Sequence, residues 1–187
     1  MTLAPSAGRD DPLACVPPFR GKLTDPRVGQ TLDRLDVLQV NVGRLCNLAC
    51  KHCHVEAGPN RTEVMSRGTM EHCLRVLDAW DFRTLDITGG APEMNPDFRF
   101  LVDRGTAAGV HVIVRTNLVI LHERGYDDLP EFMAERGVEI VCSLPYYSER
   151  DCDRQRGAGT FRSAVSMLRR LNDLGYGKDD RLSLNMV

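Results

Sequence analysis

Long apolar runs are missing from the 187 residues: none reaches the roughly 18 that a membrane-spanning helix needs. The N-terminus, Met1-Thr-Leu-Ala-Pro-Ser-Ala-Gly-Arg-Asp10, lacks the charged start and apolar centre of a secretory signal. A surplus of either charge is missing too. Lys plus Arg number 24 against 26 Asp plus Glu, a net charge of -2, which leaves no electrostatic footprint for nucleic acid or an anionic membrane. Seven cysteines, an odd number, fit a reducing compartment better than a disulfide framework. Together these absences predict a cytoplasmic protein with a small-molecule substrate and no nucleic-acid or membrane partner. What is present, 42% apolar and 27% charged residues over this length, is enough for one globular domain.

Three of the cysteines, Cys46, Cys50 and Cys53, follow the apolar run ending Val40-Asn41-Val42 in a C-x-x-x-C-x-x-C spacing. Three thiolates on one short loop can hold an iron-sulfur cluster and leave one iron open. An electron carrier normally spends four cysteines per cluster, so an open iron is a place for a substrate or cofactor to bind. The alternative is structural zinc, with His52 or His54 as the fourth ligand. Unligated buried cysteines are the plainest reading, but Asn47, Lys51, His52 and His54 make the loop too polar for a core segment.

Residues 1–34 hold five of the ten prolines and no sustained periodicity, which predicts an irregular N-terminal extension. From Val37 apolar strands alternate with amphipathic helices, so residues 35–187 predict a parallel α/β core. Leu38, Val40 and Val42 alternate with polar residues as a first strand. Ser66 is placed to cap a helix whose Met70, Cys73, Leu74 and Leu77 share a face, which makes Cys73 structural. Leu85–Thr88 reads as the second strand, and Asn95-Pro96 as the opening of a helix running to about Ala108. His111–Thr116 is the third strand, Leu129–Arg136 a short helix, and Val138–Leu144 the fourth strand. Thr160 is read as the cap of a helix with Phe161, Ala164, Val165, Leu168 and Leu171 on its apolar stripe, ended by Gly175. Leu182–Val187 begins a fifth strand.

In parallel barrels the chemistry gathers at the C-terminal ends of the strands. The cysteine loop follows strand one. After strand two, Thr88-Gly89-Gly90-Ala91-Pro92-Glu93 offers two glycines at which backbone can approach a neighbour closely; read alone, the pair is a turn. Asn117 follows strand three and Ser143 ends strand four. Arg156, in Gln155-Arg156-Gly157, has a guanidinium suited to a carboxylate; its plain reading is a solvated charge. Cys142 reads as strand packing, and Cys152, among Asp151, Asp153 and Arg154, as exposed.

The stretch Cys46-Asn-Leu-Ala-Cys50-Lys-His-Cys53-His resembles the cluster loop of the radical S-adenosylmethionine (radical SAM) enzymes. That resemblance implies a partial (β/α)6 TIM-like barrel, about five parallel strands with helices outside. It implies a 4Fe-4S cluster on Cys46, Cys50 and Cys53 that passes an electron into S-adenosylmethionine and releases a 5′-deoxyadenosyl radical. Gly89 and Gly90 resemble the family's Gly-Gly-Glu motif, which contacts the methionyl amine; Ala91 stands at the usual acidic position and Glu93 two residues on. By the same resemblance Asn117 contacts the adenosyl portion, Ser143 the ribose, Arg156 the cofactor carboxylate, and His52 packs near the adenine.

The phrases Asn41-Val-Gly-Arg-Leu-Cys46, Cys53-His-Val-Glu-Ala-Gly-Pro-Asn-Arg-Thr62, Asp86-Ile-Thr-Gly-Gly-Ala-Pro-Glu93 and Gln155-Arg-Gly look like the arsenosugar-biosynthesis branch of this family. That narrower resemblance implies transfer of the 5′-deoxyadenosyl group to a trivalent dimethylated arsenic, with an electron donor such as flavodoxin or ferredoxin. Members of the branch continue into a cysteine-rich C-terminal region, and the family barrel normally has six strands, so the resemblance also implies a truncated core. Another small-molecule substrate, or a non-catalytic zinc or iron-sulfur module, remains as the alternative.

Overall fold

The switch between two-residue and 3.6-residue apolar periods is realised as an alternation of strands and helices. The computed structural model describes residues 35–187; the extension expected over residues 1–34, with Cys15, lies outside the described residues. The elements are β1 (Val37–Asn41), α1 (Arg67–Ala79), β2 (Thr84–Thr88), α2 (Phe98–Ala107), β3 (His111–Thr116), α3 (Leu129–Glu135), β4 (Glu139–Cys142), α4 (Glu149–Arg156), α5 (Thr160–Asp173) and β5 (Leu184–Met186). All neighbouring strands are parallel and lie in chain order, the expected five-strand portion of a (β/α) barrel. No helix among the described residues is long and apolar enough to cross a membrane.

Strand register sorts the side chains onto two faces. Leu85 pairs with Val112, and Ile87 with Val114, which pairs with Ile140; all five are buried with Leu101 and Val102 of α2 and Met133 of α3. Close packing here excludes even one methyl group, because a Cβ on Gly105 of α2 would lie 2.9 Å from Leu85 Cδ2. The opposite face is polar. Gln39 pairs with Asp86, and that face also carries His111, Arg115 and Glu139.

Several boundaries differ from the sequence reading. Ser66 does cap α1, its Oγ accepting from the Thr69 N–H at 3.3 Å, but Cys73 is half-buried at the rim of the core. Asn95-Pro96 does not open α2. Pro92–Met94 forms a 3-10 turn, and the Asn95 carboxamide donates to the carbonyls of Val42 and Met65 while accepting from the Asp97 N–H. That fastening delays the helix to Phe98.

Helix α4 was not foreseen. Ser148 caps it, accepting from the Asp151 N–H at 3.2 Å, and Cys152 and Arg156, four residues apart, turn to the interior together. Cys152 is therefore buried, not exposed. Nor does Thr160 cap α5, because its hydroxyl points back to the Arg156 carbonyl. The Asp153 carboxylate takes over, accepting from the N–H groups of Gly159 at 2.7 Å and Phe161 at 2.9 Å.

Candidate functional site

The cysteine loop is an excursion between β1 and α1 whose two limbs hold each other. The Arg44 N–H donates to the Glu63 carbonyl, Gly58 to Arg44, Cys46 to Gly58 and Met65 to Val42, at 2.8–3.2 Å. Gly43 sits at φ +143, and a Cβ there would stand 2.4 Å from the Glu63 carbonyl oxygen, so only glycine lets the limbs close. The loop is then zipped to the end of β2 by Gly90 N–H to Gly43 O and Ala91 N–H to Leu45 O, both 2.9 Å. A Cβ on Gly90 would lie 2.4 Å from Leu45 O, and one on Gly89 2.9 Å from Gly43 O. The close approach that the glycine pair permits is thus to the cysteine loop itself.

A cleft of about 220 Å³ opens above these strand ends. Of the residues singled out in the sequence it brings together Cys46, Cys50, Cys53, His52, Gly89, Gly90, Asn117, Ser143 and Arg156. Glu93 does not line it. His54, the alternative fourth zinc ligand, does, as do Thr88, Arg115 and Val187, to which the sequence reading gave no role. For Arg115 the signal was there: a cation on the polar phase of β3, one residue before the strand's end.

Cys46 is buried, and its Sγ accepts from the Leu48 N–H at 3.4 Å and from Asn117 Nδ2 at 3.6 Å. The Cys53 Sγ accepts from the Ala57 N–H at 3.2 Å. Burial pushes the Cys46 thiol up from its ordinary range, and the two donors pull it back. Donors aimed at sulfur suit thiolate ligands. Among the described residues no three His, Cys, Asp or Glu side chains are gathered around a single metal ion. A cluster would not require that, because each of three cysteines would ligate a different iron. Tetrahedral zinc does require it.

Arg156 is 4% exposed, and among the described residues no carboxylate pairs with it. Nη1 donates to the Ser143 carbonyl and Nη2 to the Asn117 carbonyl at 3.2 Å, while Nε has no partner among the described residues. Buried charges are normally paired, so a guanidinium in the cleft wall with an unpartnered donor fits an anionic group. The Lys51 N–H donates to the Gln155 carbonyl at 2.9 Å, fastening the cysteine loop to the end of the helix that carries Arg156. These donors together fit an iron-sulfur cluster beside a carboxylate-bearing cofactor.

Glu93 is 3% exposed, and among the described residues neither carboxylate oxygen has a formed hydrogen bond. Burial pushes it up to about 7, with the Thr116 hydroxyl acting in the opposite sense. On the polar face of the sheet, Asp86 accepts from Arg115 Nε at 2.9 and 3.1 Å and Nη2 at 2.9 Å, and from Gln39 Nε2 at 2.6 Å. This ladder crosses β1, β2 and β3 and fixes Arg115 at the cleft.

Mycofactocin maturase MftC of Mycobacterium ulcerans (strain Agy99) is 32% identical over 139 residues, which is 74% of this chain and 37% of that protein. The chain thus spans little more than a third of the length of that relative. Crystal structures of Streptococcus suis SuiB share the fold. The one bound to S-adenosylmethionine gives a TM-score of 0.65 at 16% identity, over 82% of this chain and 33% of SuiB. The one bound to precursor peptide SuiA gives 0.64 at 18%, over 82% and 32%. The family model described as the Radical SAM superfamily matches residues 40–187, which takes in the cysteine loop, all five strand ends and the cleft between them: the chain belongs to the radical SAM superfamily.

Proposed function

We propose that this chain is the cofactor-cleaving core of a radical SAM enzyme, with Cys46, Cys50 and Cys53 holding a 4Fe-4S cluster and S-adenosylmethionine in the cleft beside it. The observation that carries this reading is the meeting of three cysteines from one loop with Gly89 and Gly90 from the end of β2, Ser143 from the end of β4 and Arg156 from the last turn of α4 in one cleft. When bound, the reduced cluster supplies one electron to the sulfonium, which breaks the bond to C5′ and yields methionine and a 5′-deoxyadenosyl radical. The protein's part is placement. Arg156 would meet the carboxylate and Ser143 the ribose, the β2 glycine turn would offer main chain to the methionyl amine, and His52 would pack near the adenine. A flavodoxin or ferredoxin serves as the electron donor.

For the substrate, the Asp86–Glu93 phrase and its companions support transfer of the 5′-deoxyadenosyl group to trivalent dimethylated arsenic. The carbon–sulfur bond breaks and a carbon–arsenic bond forms, and the electron spent in the first is recovered as arsenic rises to the pentavalent state. Neither Cys142 nor Cys152 offers a thiol for the arsenic, as both are buried. A second reading, modification of a peptide, draws on the maturase relative and on the peptide-bound SuiB.

Electron paramagnetic resonance of anaerobically reconstituted, reduced protein with and without S-adenosylmethionine tests the core reading. A cluster signal that shifts on addition supports it. An unshifted signal leaves a passive cluster protein, and iron-free protein with tightly held zinc overturns it. Mass analysis of turnover with dimethylated arsenic and with candidate peptides then separates the two substrates.

A further inference from the structure

Asn117 stands where the chain leaves β3, and its side chain is turned towards the cysteine loop. It is buried. Nδ2 donates to Asn47 Oδ1 at 2.8 Å and to Cys46 Sγ at 3.6 Å, so both of its N–H bonds end on the loop. Oδ1 accepts from the Ile120 N–H at 3.0 Å, which fixes the carboxamide plane. A residue whose donors are all committed in this way has none left for an adenosyl group.

The backbone bears the cost of this orientation. Leu118, fully buried, takes φ +67 and ψ -36, a conformation that side chains with a Cβ rarely adopt. It is held there by its N–H donating to Thr116 Oγ1 at 3.1 Å. Strain kept beside a site usually serves the geometry of that site. Here it bends the chain directly after Asn117, and the Asn117 carbonyl meanwhile accepts from Arg156.

We propose that Asn117 is a positioning residue for the cluster: it holds the Cys46 sulfur in place and, by donating to it, raises the cluster's reduction potential. The inference rests on the reading of Cys46, Cys50 and Cys53 as cluster ligands. Reduction places added negative charge partly on the ligand sulfurs, so a donor there favours the reduced state, and hydrogen bonds to sulfur are among the settings of cluster potential. Among the described residues, Cys46 is the one of the three whose sulfur receives a side-chain donor.

The test uses the full chain, reconstituted anaerobically, and a redox titration followed by electron paramagnetic resonance without S-adenosylmethionine. Asn117→Asp keeps the acceptor for Ile120 and removes the donors. At the wild-type midpoint its reduced-to-oxidised ratio falls about tenfold, a shift of ~59 mV for one electron, while the spectral change on adding S-adenosylmethionine persists. Asn47→Ala removes only the acceptor of the other N–H and leaves the donor to Cys46 Sγ in place, so its midpoint stays at the wild-type value. An unchanged midpoint in Asn117→Asp protein with wild-type iron content overturns the inference, and a raised S-adenosylmethionine requirement in that variant makes Asn117 an adenosyl contact instead. Should Asn117→Asp fail to fold, by circular dichroism, Asn117→Ser, which also withdraws the donor from Cys46 Sγ and adds no charge, supplies the midpoint. Wild-type protein with no cluster signal overturns the reading of the cysteine loop, and this inference with it.

Discussion

The Arg156 guanidinium donates through Nη1 to the Ser143 carbonyl, so an arginine from the last turn of α4 closes the end of β4. With Nη2 on the Asn117 carbonyl, two main-chain oxygens from the ends of adjacent strands hold the fork, and among the described residues no acid pairs with the positive charge. The arrangement orients the cation and leaves its charge for something else.

Arg156→Lys is expected to keep the charge and lose the fork. Loss of one charge-assisted hydrogen bond is worth about 1.5–3 kcal/mol, so the S-adenosylmethionine concentration giving half the spectral change rises by about 10- to 100-fold. Iron content and the cluster spectrum without S-adenosylmethionine stay as in wild type. A titration followed by electron paramagnetic resonance reads both, and an unchanged affinity removes Arg156 from the cofactor site.

Asp86 is the acceptor for Arg115 and Gln39 together, and it is almost fully buried while Arg115 is part-exposed. Asp86→Ala therefore strands a cation that water reaches only in part. The expected loss is about 1–3 kcal/mol in urea unfolding, below the cost of breaking a fully buried pair. Removing Arg115 as well should recover part of that loss. A double-mutant cycle with Arg115→Ala measures the coupling, and additivity of the two single variants denies that the ladder acts as a unit.

Glu93 gives a pH signature. Its folded-state value lies near 7 because burial disfavours the carboxylate, whereas the unfolded chain releases that proton near the ordinary glutamate value. Between these limits the native state holds more protons than the unfolded state, so stability falls as pH rises from about 4.5 to about 7. The groups around it do not reverse this: the Thr116 hydroxyl is neutral, and ionisation of the Cys46 thiol would add a like charge. Glu93→Gln should match wild type at pH 4.5 and exceed it at pH 8 by about 3–4 kcal/mol, from about 2.5 pH units at roughly 1.4 kcal/mol each. Metal-free protein unfolded in urea at both pH values checks this, and equal stabilities at pH 8 contradict it.

Much of this architecture was legible in the sequence where one period dominates. β3 was read with its observed bounds because the β-branched run Val112-Ile113-Val114 lies between polar residues, and Ser66 announced α1 because a hydroxyl before an apolar stripe has few other uses. The three cysteines were legible because ligand chemistry demands their residue type and close spacing. Helix α4 was not, because Glu149–Arg156 contains a single apolar residue, Cys152, and its burial depends on a cleft built by other strands. The Asn95 turn and the Asp153 cap were missed for the same reason. Each spends its polar atoms on a segment distant in sequence or folded differently than expected, and local periodicity carries no record of such a partner.

The two glycines at Gly58 and Gly90 give the sharpest contrast for the loop. A Cβ on Gly58 meets nothing within 4 Å, and its backbone lies outside the left-handed region, whereas a Cβ on Gly90 would stand 2.4 Å from Leu45 O and 2.9 Å from both Arg44 O and the Ala57 Cβ. Gly58→Ala is therefore expected to be neutral or stabilising by up to about 1 kcal/mol, through the lower entropy of its unfolded chain. Gly90→Ala must push main chain, which cannot rotate aside as a side-chain tip can. The Gly90 and Ala91 hydrogen bonds that zip β2 to residues 43–45 are then lost or stretched, at about 1–3 kcal/mol. Because Cys46 follows Leu45 directly, the same displacement shifts the first ligand. Iron and sulfide uptake should fall sharply in Gly90→Ala and remain at wild-type level in Gly58→Ala, measured on equally folded samples. Full uptake by Gly90→Ala would show that the cysteine loop takes up its iron without being fastened to the end of β2.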